Sequence, residues 1–438
     1  MLQRLRAAPD ARWNFWVLGL DVAFFTLAIN ISSLYTIMPL FVHQLTPLNW
    51  PITLITTLRM LGSYAPTLLI AGYVERLHTV KPLILLMTIG ERLPFLLLAI
   101  AVVLLSHHND ILLLIFFYMM LFTITAAGGL CFSPWLDLIS RTIPGTMRGR
   151  FLGGWSGIGN IFGIGGAAVA TKLLTTFQWP WSFAACFALS FCFMIVSFGM
   201  LAQGREPIRT DVHRVIKTTG SSFTRGRHWV VDMRSVVVGD RAFRRYLGAN
   251  ALSGTSLLGS GLLAIVALRQ AHLTNQQVII ETTVVLFATM IGNFLWGFIG
   301  DRFGHRAVLV WSSASGTCAM LLTLIAHSVL AMTLAFFFFA LGTAGVALAQ
   351  LTYVIDFGPP ARRPVYIGLA FILLAPFATL APLIGGIMAD QWGYAPVFVI
   401  AATLSLGTTL TYWLWVHDPM PQTTIANQEN IARLEEGA

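Results

Sequence analysis

The feature that most constrains this chain is a series of long apolar segments, each about as long as a helix that crosses a lipid bilayer. We count twelve, centred near residues 25, 62, 94, 122, 163, 191, 256, 290, 317, 343, 376 and 404. A membrane helix needs about 20 mostly apolar residues. Only 10% of this chain is charged, against about 25% in soluble domains. The sequence therefore predicts an all-α membrane protein with twelve transmembrane helices, spans 1 to 12.

The basic residues between the spans predict the orientation. With an even number of spans, both termini lie on one side of the membrane. If that side is the cytoplasm, the outer loops hold only Lys172 and Arg269 among the basic residues outside the spans. This bias follows the positive-inside rule, so we expect a multi-pass plasma (inner) membrane protein with cytoplasmic N and C termini. The net charge of +9 is then a topology signal. Contact with anionic membrane lipids is a secondary expectation, and nucleic acid is not an expected partner.

The two halves of the sequence resemble each other. Span 1 aligns with span 7, which places Asp21 over Asn250, and residues 141–154 align with residues 356–369. We predict two pseudo-symmetric six-helix bundles, an arrangement typical of transporters with a central site between repeats. The predicted boundaries are an N-terminal bundle at 1–202, a cytoplasmic linker at 203–240, a C-terminal bundle at 241–416 and a cytoplasmic tail at 417–438.

The loop between spans 8 and 9 carries the most specific motif. It reads GFIGDRFGHR from Gly297 to Arg306, and it closely matches the G-x-x-x-D-R-x-G-R/H-R/K loop signature of the major facilitator superfamily of secondary transporters. The chain resembles that superfamily over nearly its whole length. The resemblance implies two six-helix bundles, a cavity between them and alternating access.

This loop is predicted to act as a gate. Asp301 should accept hydrogen bonds from the free N–H groups at the start of span 9. Arg302 and Arg306 should pair with acids of neighbouring loops, so that the cluster latches the bundles when the transporter faces outward. A topology determinant without a gating role is the alternative. The predicted gating residues are Gly297, Gly300, Asp301, Arg302, Gly304 and Arg306, with Glu75 and Arg76 from the first-half copy of the loop.

Charged side chains inside the spans are costly in a membrane and suggest function. Four of them, Asp21, Arg59, Glu91 and Arg92, are predicted to form a network. Adjacent helical residues point about 100° apart, so we expect Glu91 and Arg92 to have different partners. The predicted pairs are Arg59–Glu91 and Asp21–Arg92. A structural lock and a proton-coupling site are both open interpretations, and coupling is favoured most at Asp21.

The polar residues that could line the cavity follow from the resemblance, because spans 1, 4, 7 and 10 line the cavity of the superfamily. The candidates are Thr26, Asn30, Ser33, Tyr118, Thr123, Asn250, Ser253, Ser256, Thr343 and Gln350. This set contains no cluster of Arg or Lys, which disfavours phosphate or multiply charged anions. A neutral or weakly charged amphipathic solute suits a mostly apolar site with a few polar anchors.

These patterns predict a secondary active transporter that moves a small amphipathic solute by alternating access, with proton-coupled efflux as the favoured mode. The family pattern itself leaves coupling open, because span 4 lacks a basic residue and span 5 lacks a Gly-Pro pair. An uptake permease or uniporter for a polar metabolite such as a sugar is one alternative, and a non-transporting sensor of the same fold is another. No H-E-x-x-H or P-loop motif is present, so we expect no enzymatic activity, metal or cofactor, and we expect a monomer.

Overall fold

The computed structural model of the chain describes residues 9–74, 77–106, 108–207, 237–326, 328–355, 357 and 363–416. They form the twelve predicted spans. The bounds are Pro9–Ile31 continued by Ile37–Leu45 for span 1, then Asn49–Val74, Lys81–Leu105, Asp110–Thr142, Gly145–Thr176 and Trp181–Gln203 for spans 2 to 6. Span 7 runs Arg241–Thr255, Ser256–Gly259 and Leu263–Arg269, and spans 8 to 12 are Asn275–Phe303, His305–Ile325, Val329–Ile355, Arg363–Trp392 and Tyr394–Leu414.

Eleven of these spans are long and apolar enough to cross a membrane by length and composition alone, and span 2 completes the twelve. The all-α membrane fold with two six-helix bundles is thus confirmed. The last helix of the first bundle ends at Gln203 and the first helix of the second begins at Arg241. Most of the predicted linker and the whole predicted tail lie outside the described residues, as do Glu75 and Arg76.

Spans 1 and 7 are interrupted at corresponding points. Span 1 breaks after Ile31, and span 7 passes through a 3-10 turn at Ser256–Gly259. The Ser256 and Ser260 hydroxyls donate to backbone carbonyls three residues earlier. Short hydroxyl side chains offer the backbone such alternatives to regular α-helix. These breaks allow the first span of each bundle to change direction near the middle of the membrane.

The packing of the spans repeats between the bundles. In the first bundle span 1 packs on spans 5 and 6, span 2 on span 4, and span 3 on spans 4 and 6. In the second bundle span 7 packs on spans 11 and 12, span 8 on span 10, and spans 10 and 12 both pack on span 9. The bundles meet where span 2 packs on span 11 and span 5 on span 8. The internal sequence similarity therefore corresponds to a structural repeat.

The hydrophobic cores show which end of the molecule is closed. We call the side where span 1 begins and span 12 ends the terminus face, and the other side the opposite face. Toward the opposite face, one core contains residues of both bundles, including Phe41, Phe183, Ile265 and Phe398. Toward the terminus face each bundle has its own core, one around Phe151 and the other around Tyr353, with further members in each. Among the described residues, the cleft between the bundles is therefore open toward the terminus face.

Candidate functional site

A buried charge cluster lies in the first bundle, where Arg92 of span 3 is placed between two acids. Its Nη2 lies 3.6 Å from Asp21 Oδ1 on span 1, and its Nη1 lies 3.5 Å from Glu91 Oε2. All three residues are buried: Arg92 is 3% exposed, Asp21 5% and Glu91 9%. One guanidinium thus faces two carboxyl groups, so the cluster carries an excess negative charge when both acids are ionised.

Span 6 completes the surroundings of this cluster. The Ser197 hydroxyl donates to Asp21 Oδ1 at 2.5 Å, and Arg92 Nη2 donates to the same hydroxyl oxygen at 3.0 Å. Arg92 Nε donates to the Met194 carbonyl at 3.1 Å, and the guanidinium stacks near the ring of Phe198. Spans 1, 3 and 6 are therefore joined by one polar network, and the predicted contact between Asp21 and Arg92 is present.

The predicted Arg59–Glu91 pair is wrong. Glu91 contacts its neighbour Arg92 instead, because the long arginine side chain can bend back along its own helix. The Glu91 carboxyl also points at span 4, where a Cβ on Gly128 would lie 3.0 Å from Oε1. Span 2 packs on spans 4 and 11, whereas span 3 packs on spans 4 and 6. Span 4 therefore lies between span 2, which carries Arg59, and span 3, which carries Glu91.

Arg59 instead lies among aromatic rings at the contact between the bundles. Its guanidinium carbon is 5.5 Å from the centroid of the Tyr35 ring, and Tyr64 is within electrostatic range of both residues. Tyr35 contacts Phe339 of span 10 edge-on, and Tyr64 packs on Phe371 of span 11. Within the described part of the chain, no carboxylate lies within 4.0 Å of the Arg59 guanidinium. The sequence pattern did not indicate these tyrosines: Tyr35 belongs to another span, and Tyr64 is five residues from Arg59 on span 2, outside the spacing of three or four that brings helical side chains together.

A second group of polar contacts, the opposite-face seal, consists of Asn49, Trp50, Arg269, Asp390 and Tyr394. The Asp390 carboxylate of span 11 accepts from the backbone N–H groups of Asn49 and Trp50 at 2.7 and 2.9 Å. It also accepts from the Asn49 side chain at 2.8 Å. A carboxylate from the second bundle thus caps the first turn of span 2, where free N–H groups and the helix dipole favour negative charge.

The end of span 7 strengthens this seal. Arg269 donates to the Tyr394 hydroxyl and to the Pro47 carbonyl, both at 2.8 Å. Tyr394 in turn donates to Asn49 Oδ1 at 2.7 Å. Nearer the membrane centre, the hydroxyls of Thr36 and Thr282 are hydrogen-bonded across the bundles. The contacts between the bundles are therefore polar and close at the opposite face.

Two glycines allow the backbones to approach below the seal. A Cβ on Gly386 of span 11 would lie 2.0 Å from Thr53 Oγ1 and 2.8 Å from the Cα of Trp50. A Cβ on Gly261 of span 7 would lie 3.1 Å from the Cα of Thr53 and 3.2 Å from Thr56 Oγ1. Arg59 follows Thr56 by one helical turn on the same face. Arg59 thus lies directly beneath the closed end of the cleft.

Several predicted cavity residues are occupied by contacts within the protein. Asn250 Nδ2 donates to the Ala370 carbonyl at 3.3 Å, and its Oδ1 accepts from Gln350 at 2.9 Å. These contacts join spans 7, 10 and 11. Thr26 and Asn30 pack against Gly159 and Gly163 of span 5, respectively. These four polar residues therefore hold helices together in this conformation.

The other predicted cavity residues are also hydrogen-bonded or buried within the protein. The Tyr118 hydroxyl donates to the Pro51 carbonyl at 2.5 Å, which ties span 4 to the start of span 2. The hydroxyls of Thr123, Ser256 and Thr343 donate to carbonyls of the preceding turn of their own helices. Ser33 accepts from the Tyr35 backbone at the break in span 1, and Ser253 is buried.

The predicted gating loop has a different hydrogen-bond pattern from the one expected. Span 8 continues to Phe303, and Gly304 reverses the chain with φ 84° before span 9 begins at His305. Asp301 is exposed, and no side chain caps span 9, so the predicted cap is wrong. Because the helix continues one turn past Gly300, Asp301 lies on the exposed side of that last turn.

The basic residues of this loop also differ from the prediction. Arg306 donates to the backbone carbonyls of Tyr412 and Trp413 at the end of span 12. Arg302 lies over the ring of Phe303. Neither makes an ion pair among the described residues. Gly300 allows the close approach of His305, because a Cβ added at Gly300 would lie 3.2 Å from His305 Nδ1. A Cβ added at Gly297 would meet no atom within 4 Å.

A carboxylate cap of the kind predicted for span 9 is present at the start of span 3. It comes from Glu206, which was not among the predicted site residues. Glu206, just after span 6, accepts from the backbone N–H groups of Val80 and Lys81 at 2.8 and 2.9 Å. It also pairs with Arg141 at 3.0 Å, and Arg141 pairs with Asp137 at 2.5 Å. This network lies within the first bundle at the terminus face. Its partners are too far apart in sequence for a local motif to predict it.

The membrane-embedded charges are distributed unequally between the bundles. Asp21, Arg59, Glu91 and Arg92 all belong to the first bundle. In the described spans of the second bundle one acid is buried, Glu281, which lies roughly 9 Å from the start of span 8 at the opposite face. Its Oε1 accepts from Thr333 at 2.6 Å. Asn250, which aligns with Asp21, carries no charge. The two bundles therefore share the same helix packing but differ in their buried charges.

Comparison with known proteins supports the resemblance that the loop motif predicted. The family model of the Major Facilitator Superfamily matches residues 246–436, and the fold of nearly the whole chain is that of solved transporters. The chain is a multi-pass membrane protein, and the family match and the fold support a secondary transporter of this superfamily.

Three solved structures illustrate the likeness. The nucleoside transporter NupG is 11% identical, with a TM-score of 0.67 over 91% of this chain and 98% of that chain. A POT family transporter in complex with 5-aminolevulinic acid is 13% identical, with a TM-score of 0.66 over 93% and 96%. The xylose transporter XylE from E. coli, in a partially occluded inward-open conformation, is 14% identical, with a TM-score of 0.60 over 93% and 97%. These likenesses show the fold alone.

Among curated proteins, the human solute carrier family 22 member 11 is 27% identical over 95 residues. The matched region covers 21% of this chain and 17% of that protein, so the chain matches about a sixth of its relative's length.

Proposed function

We propose that this major facilitator protein exports a small amphipathic solute in exchange for protons, with the terminus face in the cytoplasm. The observation that carries the proposal is the placement of Arg92 between Asp21 and Glu91. One proton on either acid balances the charge of the cluster, and its loss leaves a buried negative charge. The distribution of basic residues between the spans supports the orientation.

In the proposed cycle, the conformation described here receives solute from the cytoplasm. The cleft is open at the terminus face, and the seal around Asp390 closes the other end. Because the Ser197 hydroxyl and the Arg92 guanidinium both contact Asp21, a change of protonation there alters the links among spans 1, 3 and 6. Span 1 also packs on span 5, which contacts the second bundle through span 8. The charge cluster is thus connected to the contact between the bundles.

Transport into proteoliposomes tests the proposal. The probes are three solutes of similar size and different charge: N-acetylphenylalanine, its amide, and phenethyltrimethylammonium. With an imposed pH gradient, the wild type should accumulate at least one of them above its equilibrium level, relative to protein-free vesicles. Asp21→Asn should abolish accumulation, because the cluster then lacks its titrating acid. Asp110→Asn, an exposed acid at the start of span 4, is the matched control and should retain it.

Other outcomes would contradict parts of the proposal. Flux that ignores the pH gradient would make the protein a uniporter. Gradient-driven accumulation that survives Asp21→Asn would remove the cluster from coupling. Binding of solute without flux in the wild type would indicate a sensor of the same fold.

A further inference from the structure

Arg59 is a positive charge in the membrane interior without a counter-ion among the described residues. At about 1.5 Å per residue, it lies roughly 15 Å below the start of span 2 at the opposite face. Arg92, the other arginine at such depth, has two carboxyl groups and a backbone carbonyl as partners. Arg59 has the face of Tyr35. A charge in a low-dielectric interior is unfavourable unless it is paired.

The position of Arg59 makes it available to a solute. The residue is half-buried, and it follows the close contacts of Thr53 and Thr56 with the second bundle by one helical turn. The closed end of the cleft therefore lies above it, and the open terminus face lies below. Its aromatic neighbours Tyr35 and Tyr64 belong to the first bundle and contact rings of the second, Phe339 and Phe371 respectively. A group bound at Arg59 therefore lies beside the contact between the bundles.

We propose that Arg59 binds the anionic group of the transported solute, and that the substrates are amphipathic monoanions such as aryl-alkyl carboxylates. This inference rests on the proposed transport function. The guanidinium presents a planar pair of N–H donors that matches a carboxylate, and the tyrosine and phenylalanine rings offer an apolar surface to the body of the solute. A single arginine with no second base supplies one positive charge, which suits one negative charge better than a phosphate dianion.

The absence of a cluster of basic residues among the predicted cavity positions disfavours multiply charged anions as solutes. Because Glu91 contacts Arg92 and not Arg59, the Arg59 guanidinium is available to a ligand.

Binding of matched acids and amides to the detergent-purified full-length protein tests the proposal. The pairs are N-acetylphenylalanine, 4-phenylbutyrate and indole-3-acetate, each with its uncharged amide, and inorganic phosphate is a further probe. Thermal shift titrations should give at least one acid with about tenfold or higher affinity than its amide, as expected for a hydrogen bond to a charged group. Arg59→Gln should remove this preference, and Arg59→Lys should retain part of it, because lysine keeps the charge without the planar fork.

The control is Arg241→Gln, which removes an exposed arginine at the terminus face and should leave the preference unchanged. The proposal is overturned if no acid of the panel is preferred over its amide, if Arg59→Gln binds the acid as the wild type does, or if phosphate competes as strongly as the carboxylates. Unliganded melting curves of each variant verify that it is folded.

Transport of the same probes separates this inference from the proposed function. Flux of an uncharged probe that Arg59→Gln does not alter would refute the anion site and leave transport intact. An acid that binds through Arg59 in the wild type but is never carried across would leave the site intact and refute transport.

Discussion

The two arginines buried in the first bundle show how surroundings decide the role of the same side chain. Arg92 contacts Asp21, Glu91 and Ser197, so its charge is satisfied by the protein itself. Arg59 contacts aromatic rings and lies at the end of a cleft. Burying a charge without a partner costs free energy, whereas removing one partner of a buried group leaves the others uncompensated. Neutralising Arg92 should therefore lower the stability of the folded protein, whereas neutralising Arg59 should leave it unchanged or raise it slightly.

Neutralising each arginine should test this difference. Arg92→Gln leaves two buried acids without their cation, and we expect a loss of stability of about 3–5 kcal/mol. Arg59→Gln removes an uncompensated charge, and we expect unchanged or slightly higher stability. Thermal unfolding in detergent, followed by tryptophan fluorescence, provides the comparison. A large destabilisation by Arg59→Gln would mean that Arg59 holds the fold rather than a ligand.

Residue identity alone predicted some of these roles and not others. The apolar context of Asp21 and Arg92 was enough to place both in a buried network, and their contact was predicted from helix depth. The partner of Glu91 was not, because span order around the bundle decides which helices touch, and span 4 separates spans 2 and 3. Tyr35 could not be assigned to Arg59 because its approach depends on the break in span 1. Tyr64 lies on the same helix as Arg59, but five residues away, outside the spacing of three or four that brings helical side chains together.

At the scale of helices, the closed end of the cleft depends on glycines and on one helix cap. Gly386 and Gly261 let spans 11 and 7 approach the backbone of span 2. Asp390 supplies the acceptor that the first turn of span 2 lacks within its own sequence. The length and apolar character of these segments predicted the existence of the helices and their approximate centres. The contacts across the bundles were not predictable, because they join residues hundreds of positions apart.

A methyl group at Gly386 should force the opposite face apart. Gly386→Ala places a Cβ within 2.8 Å of the Trp50 Cα, and overpacking of this kind costs about 1–3 kcal/mol. Spin labels at the exposed positions Leu48 and Gln276, in a background with the four cysteines replaced, should show a longer distance distribution in this variant. Gly297→Ala, where nothing lies within 4 Å, is the control. An unchanged distribution in Gly386→Ala would show that the close approach does not hold the face shut.

Removing the Asp390 carboxylate that caps span 2 should also open the opposite face, but less than Gly386→Ala does. Asp390→Ala deprives two backbone N–H groups of their acceptor, and loss of a helix cap costs about 0.5–2 kcal/mol. The same label pair should show a larger open population than in the wild type. Asp110→Ala removes an exposed acid from the first turn of span 4, where Asn109 supplies the cap, and should leave the distribution as it was. Equal effects of the two substitutions would argue against a role for Asp390 in closure.

At the scale of the whole molecule, the structure corresponds to one conformation of the proposed alternating-access cycle. The bundles share a hydrophobic core at the opposite face and have separate cores at the terminus face. The proposed transport requires the shared core to part and the terminus face to close. The loop motif between spans 8 and 9, which makes no ion pair among the described residues here, is a candidate for contacts of that second conformation. Its predicted gating role stays a prediction.

Cross-linking the bundles should stop the cycle. The hydroxyls of Thr36 and Thr282 are hydrogen-bonded across the interface, so Thr36→Cys with Thr282→Cys should form a disulfide under mild oxidation in the cysteine-replaced background. Solute flux should fall to background and recover on reduction. Each single substitution should retain flux under both conditions. Full flux with a complete cross-link would mean that the opposite face need not open at these positions.

The unequal charge of two structurally equivalent bundles has an evolutionary consequence. One copy of the repeat carries the cluster of Asp21, Glu91 and Arg92, and the other has Asn250 where its counterpart has Asp21. Under the proposed function, substitutions in spans 7, 10 and 11 would therefore change the side of the cleft that faces the solute and leave this cluster intact. A change of solute would then not require a change in the coupling reaction.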